Sequence, residues 1–250
     1  MATRAGVDPE VAHFALADLL DCRHDTGSNR NALLLAHIGH AFVSSDDDVL
    51  CEPRLAPDNG SWLHLTGKSA PTRVRLFGSV EEANAAHPIT NACVFAAHEA
   101  LLGKSVGALL AARPASATKT DDLGSGTRRA LVAGKARVSV TSSGIVGDCA
   151  ARFPDFYLWE PEVRSQLQDA SFETYRSLVE SRQISRSAAT LTIASSPFLM
   201  STHLAFAGDV VLPPFFPVLR GIDAKKRCHQ HNQELRAFVL DGTAQAKPAV

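Results

Sequence analysis

Long blocks of like charge are missing from this chain. Its 250 residues carry 25 basic and 26 acidic side chains, which gives a formal net charge of −1 at pH 7. The longest basic run is Lys225, Lys226 and Arg227. A protein that wraps nucleic acid neutralises many phosphates with Lys and Arg. The sequence therefore gives no strong nucleic-acid signal, and only contact through a local patch stays open.

Long apolar runs are missing as well. No stretch reaches the roughly 20 apolar residues of a membrane-spanning helix, and the first residues lack the apolar segment of a secretory signal. The cysteines are odd in number and widely spaced, which indicates free thiols in a reducing compartment. They are Cys22, Cys51, Cys93, Cys149 and Cys228. We expect a cytoplasmic protein, or one inside an assembled particle, that is neither secreted nor bound to a membrane.

Complete motifs for cofactors and metals are lacking too. Each Gly-Lys-Ser triplet, at 67–69 and 103–105, has a bulky residue where a phosphate-binding loop needs its first glycine. The acidic runs at 46–48 and 121–122 lack the alternating spacing and central glycine of a calcium loop. Cys228 and His231 fall on one apolar stripe, which favours packing over zinc binding. The sequence predicts no cofactor and no metal site.

What the chain does contain is an apolar segment stiffened by proline near its C-terminus. Prolines lack the backbone N–H and fix φ, so this segment fits neither a helix interior nor a central strand. Its large apolar side chains favour burial against another surface. We predict an interface with another subunit, formed by Leu212, Pro213, Pro214, Phe215, Phe216 and Pro217.

Helical patterns outnumber strand patterns along the chain. Helices are predicted from Pro9, over about 31–43, from Val80 after the capping box Ser79–Glu82, over 161–183 as one helix or a broken pair, and after Asp223. Strands are predicted at 62–65, 72–77 and 137–141. We therefore expect one α+β domain over 1–250, helix-dominated with a minor antiparallel sheet, and with a possible internal loop or linker at 115–127.

The segment 142–149 is the best candidate for an active-site loop. It follows a predicted strand and contains two glycines, and a helix starting there would favour an anion or a thiolate. The nucleophile would be Ser143 or Cys149. A histidine would have to come from elsewhere in the chain, and His98 and His203 are the candidates.

Two functions remain open at this point. The first expectation is a structural subunit of a large intracellular assembly, such as a capsid-like shell or a multi-subunit complex, which associates as a homo- or hetero-oligomer through the proline-rich segment. It depends on that segment and on the lack of a complete catalytic motif. The alternative is a small cytosolic hydrolase or transferase that uses the 142–149 loop with a distant histidine.

Overall fold

The structure is a computed structural model of the chain. It describes residues 8–17, 26–46, 49–50, 52–57, 60–67, 72–148, 161–195, 203–209 and 235–238. The proline-rich segment 212–217 and Cys149 lie outside these ranges, as does most of the helix expected after Asp223. No helix within the described ranges combines the length and the apolar character needed to cross a membrane.

Helices and strands alternate irregularly along the described residues. The helices are α1 Pro9–Leu16, α2 Thr26–Ala36, α3 Val80–Ala86, α4 Val94–Glu99, α5 Val106–Ala111, α6 Ser125–Val132, α7 Pro161–Gln168 and α8 Phe172–Ser181. The strands are β1 Phe42–Ser45, β2 Gly60–Thr66, β3 Arg73–Phe77, β4 Thr118–Asp121, β5 Val138–Ser142, β6 Ile145–Asp148, β7 Gln183–Ser187, β8 Thr190–Ala194, β9 His203–Phe206 and β10 Leu235–Phe238.

The strands form two sheets. The larger has seven strands in the order β1-β9-β5-β10-β8-β2-β4, and the smaller has the order β3-β7-β6. In the larger sheet β5–β10, β2–β8 and β2–β4 are parallel, whereas β1–β9, β5–β9 and β8–β10 are antiparallel. The smaller sheet is antiparallel throughout.

The expectation of a helix-dominated fold with a minor sheet is therefore wrong. The described residues form a mixed α+β fold that helices do not dominate, and its main sheet is neither minor nor purely antiparallel. Several strands have sequences that lack the alternating apolar pattern of a half-buried strand. Thr118–Asp121 is polar throughout, yet it forms the parallel edge strand β4 beside β2. It lies inside 115–127, the candidate internal loop or linker, which also contains the start of α6.

Two helical expectations also change at their ends. The helix predicted over about 31–43 ends at Ala36, and Phe42–Ser45 pairs with β9 instead. Leu235–Phe238, expected within a final helix, is the strand β10 between β5 and β8. In both segments pairing to a distant strand prevails over local helical periodicity, which is a weak preference by comparison.

Other local predictions are confirmed. In β3 the side chains of Val74 and Leu76 are buried while Arg73 is exposed, as alternation requires. Ser79 caps α3 by accepting a hydrogen bond from the backbone of Glu82 (3.2 Å). The Glu82 carboxylate in turn accepts from the backbone N–H of Gly78 (2.7 Å), one residue before the N-cap, so the Ser79 and Glu82 side chains each satisfy one backbone donor near this helix start.

Both faces of the larger sheet are covered in part by helices. On one face Leu63, Leu65 and Ile193 are fully buried with Val106 of α5, and side chains of α6 pack against them. On the other face Leu204 and Phe206 of β9 form a core with Val140, against which Leu34 of α2 packs. Burial on both faces explains why every residue of β5 is buried.

Candidate functional site

The helix α4 brings a histidine onto the larger sheet. Ala97 and Leu101 are buried together and pack with Leu191 of β8, which fixes this helix against the sheet. His98 follows Ala97 in the last turn of α4 and is only 2% exposed. Burying an imidazole is unfavourable unless its ring nitrogens have hydrogen-bond partners. The partners of His98 come from strands β5 and β9.

Strands β5 and β9 present two polar side chains to His98. They are antiparallel, and Thr141 of β5 lies opposite Ala205 of β9. Alternate residues of a strand share a face, so His203 lies on the same face as Ala205 and Thr141. The register of this strand pair thus places Thr141 and His203 diagonally under α4.

These three side chains form one hydrogen-bonded chain. His98 Nδ1 lies 2.7 Å from Thr141 Oγ1, and His98 Nε2 lies 3.1 Å from His203 Nδ1. The centroids of the two imidazole rings are 5.0 Å apart and their planes are inclined by 28°. Solvent exposure increases along this hydrogen-bonded chain: Thr141 is 0% exposed, His98 is 2% exposed and His203 is half-buried.

Burial keeps both histidines uncharged. It lowers the pKa of His98 from 6.5 to about 4, and the neighbouring His203 adds to this effect through charge repulsion. Burial also lowers the pKa of His203. Near neutral pH the pair therefore consists of two neutral imidazoles, each of which has one N–H donor and one acceptor nitrogen.

Ser143 lies beside His203. Its backbone N–H donates to the carbonyl of His203 (3.4 Å), which continues the β5–β9 pairing by one position. Directly opposed residues of antiparallel strands have neighbouring side chains. Three of the sequence-predicted catalytic candidates, His98, His203 and Ser143, thus lie together, whereas the fourth, Cys149, is outside the described residues.

The loop containing Ser143 differs from the expected geometry. Residues 145–148 form strand β6, which pairs with β7, so no helix begins there to hold an anion or to lower the pKa of a thiol. The short connection from β5 to β6 takes the chain directly from the larger sheet to the smaller one. At Gly144 a side chain would press against the backbone carbonyl of Arg186 (3.1 Å).

Thr141 is a site residue that the sequence did not single out. The strand 137–141 was expected, but a threonine in a strand is common and reveals nothing about a partner that lies 43 positions away. A useful signal would have been its place in a strand buried on both faces, where a hydroxyl needs a hydrogen-bond partner.

The described residues hold no group of three or more histidine, cysteine, aspartate or glutamate side chains arranged for a metal ion. Of the acidic runs, Asp46 accepts from Arg30 (3.1 Å) and Asp121 contacts His64 (2.9 Å). No protein-family model, curated protein or solved structure matches this chain. The function must therefore be argued from the geometry of the histidine pair.

Proposed function

We propose that the protein is an enzyme of the hydrolase or transferase class in which His203 contacts the substrate. The observation that carries this is the hydrogen-bonded chain from buried Thr141 through His98 to half-buried His203. An imidazole that is oriented by a second side chain, itself oriented by a third, is held in a fixed position toward a substrate, which is the preorganisation that catalytic sites need. The remaining ring nitrogen of His203, Nε2, is the atom available to a substrate.

Two further features support a carbonyl or phosphoryl substrate. The lowered pKa of His203 keeps its ring neutral at neutral pH, so the ring can exchange hydrogen bonds with a substrate oxygen. Ser143, whose backbone N–H donates to the carbonyl of His203, adds a hydroxyl-bearing residue next to this histidine. The cytoplasm remains the proposed location, on the basis of the cysteine pattern.

A substrate panel tests this proposal. Purified protein is assayed with p-nitrophenyl esters and phosphate esters, alongside His203→Ala and the control His13→Ala, which changes an exposed histidine of α1. We expect multiple turnovers on at least one ester class, at least tenfold slower in His203→Ala and unchanged in His13→Ala. Equal turnover in both variants would contradict the role of His203, and no turnover on any panel member would favour the second candidate.

We propose, as that second candidate, a subunit of a larger assembly. The described residues that favour it are large apolar side chains exposed on α1, on α2 and just after α2. Val11 is 59% exposed, Leu35 is 55% exposed and Ile38 is 71% exposed. The two helices contact each other, and exposed apolar side chains on neighbouring helices could form part of an interface. The partner would be a second copy or another protein subunit, with the proline-rich segment 212–217 as a further contact.

Sedimentation velocity tests this second candidate. Phe215→Ala and Phe216→Ala are compared with the unsubstituted protein, since neighbouring residues of an extended chain point in opposite directions and only one should anchor a partner. Truncating a buried aromatic anchor typically weakens an interface by about 2 kcal/mol or more. We expect one variant to sediment as a smaller particle. Unchanged sedimentation of both variants, or monomeric unsubstituted protein, would contradict the assembly.

A further inference from the structure

The hydrogen bonds that link Thr141, His98 and His203 can be donated in either of two directions. Each neutral imidazole carries one hydrogen, so His98 either accepts at Nδ1 and donates at Nε2 or does the reverse. The first arrangement places the hydrogen of His203 on Nε2, and the second places it on Nδ1. The direction therefore decides whether His203 offers a donor or an acceptor at its remaining nitrogen.

The buried end of the chain decides between the two directions. Thr141 is fully buried, and its hydroxyl makes one hydrogen bond within the described part of the chain, the one to His98. If Thr141 accepted a hydrogen from His98, its own O–H would be buried without an acceptor, which is unfavourable. If Thr141 donates, its hydrogen is used and only oxygen lone pairs stay unpaired, so this direction has the lower free energy.

We infer that Thr141 donates its hydroxyl hydrogen to Nδ1 of His98, that His98 Nε2–H donates to Nδ1 of His203, and that His203 consequently presents an N–H at Nε2. Thr141 is thus a positioning residue that acts through His98. It lies at the far end of the chain from Nε2 of His203 and has no exposed surface through which it could meet a substrate.

This direction specifies the role of the site, and here it rests on the proposed function. A neutral imidazole N–H is a poor proton donor but a good hydrogen-bond donor to an oxygen on which negative charge develops. The substrate oxygen would be a carbonyl or phosphoryl oxygen that gains charge when a nucleophile attacks. His203 keeps its hydrogen throughout, and the proton that the attacking nucleophile releases is taken up by solvent water.

The tautomers can be measured without any substrate. Long-range ¹H–¹⁵N correlation spectra of the folded protein at about pH 7.5 distinguish a hydrogen-bearing ring nitrogen from a bare one. Signals of His98 and His203 are assigned by their loss in His98→Gln and His203→Gln. The variants Thr141→Val and Thr141→Ser are compared with the unsubstituted protein, because valine keeps the shape of threonine without the hydroxyl and serine keeps the hydroxyl.

We expect the hydrogen on Nε2 in both histidines, in the unsubstituted protein and in Thr141→Ser. In Thr141→Val both tautomers of His98 and His203 should appear, because the donor that fixes the direction is gone. Hydrogen on Nδ1 of His203 in the unsubstituted protein would overturn the inference, as would unchanged tautomers in Thr141→Val. If Thr141→Val does not fold, the spectra of the other two proteins still decide. Failure of the substrate panel leaves this result unaffected.

Discussion

The histidine pair should make the folded protein sensitive to acid. The pKa of His98 is about 4 in the folded protein, against 6.5 for an unperturbed side chain. Between these values the unfolded chain binds more protons than the folded one, so the free energy of unfolding rises with pH. The stabilisation is complete above pH 6.5 and is lost as the pH falls toward 4.

The size of the effect follows from the same two values. Lowering the pH from about 7.5 to about 5 should reduce the free energy of unfolding by about 2 kcal/mol through His98 alone. This window avoids most carboxylate titration, which occurs below about pH 5. His203 adds a loss of the same sign, because burial lowers its pKa as well. Burial also lowers the pKa of His87, and that contribution is the same in any variant that retains His87.

Urea denaturation at both pH values measures this loss, with His98→Leu as the comparison. Leucine cannot titrate, so the variant should lose about 2 kcal/mol less than the unsubstituted protein over the same window. Its lower absolute stability, from the unpaired hydroxyl of Thr141, is present at both pH values and cancels. Equal losses in the two proteins, or a loss larger in His98→Leu, would refute the buried neutral pair.

Three other predictions follow from the described contacts. A side chain at Gly208 would overlap the backbone of His40, so Gly208→Ala should lower the free energy of unfolding by about 1–3 kcal/mol, whereas Gly107→Ala, in an open helical position, should be neutral or slightly stabilising. Removing the helix cap with Ser79→Ala should lower the free energy of unfolding by about 1 kcal/mol in the same urea assay, and Ser79→Asp should restore most of it. Thiol titration of the unfolded, non-reduced protein should find all five cysteines reactive, Cys93 being a free thiol in the fold, and three or fewer would reveal a disulfide.

Local sequence signals identified part of this fold. The alternation over residues 73–76 and the helix cap at Ser79 depend on neighbouring residues, and both are present as expected, although Phe77 is buried as well. The extent of the larger sheet depends on pairing between distant segments instead. Residues 118–121 and 235–238 become strands because β2, β5 and β8 offer partners, and no local pattern records those partners.

The sequence could predict the candidate site only in part, for the same reason. His98, His203 and Ser143 could be named as candidates by residue type, but their contact depends on the register between β5 and β9 and on the packing of α4. His98 and His203 are 105 positions apart in the chain. Thr141 gained significance only when its hydroxyl proved to be buried and bonded to His98.

The most direct test of the account compares turnover and stability in one variant. His203→Ala removes the half-buried end of the hydrogen-bonded chain and leaves Thr141 bonded to His98. Turnover of the best ester of the panel is measured per folded protein, with the folded fraction taken from urea denaturation. We predict at least a tenfold loss of turnover while most of the protein remains folded. Full turnover in folded His203→Ala would contradict the assignment of this histidine pair as the functional site.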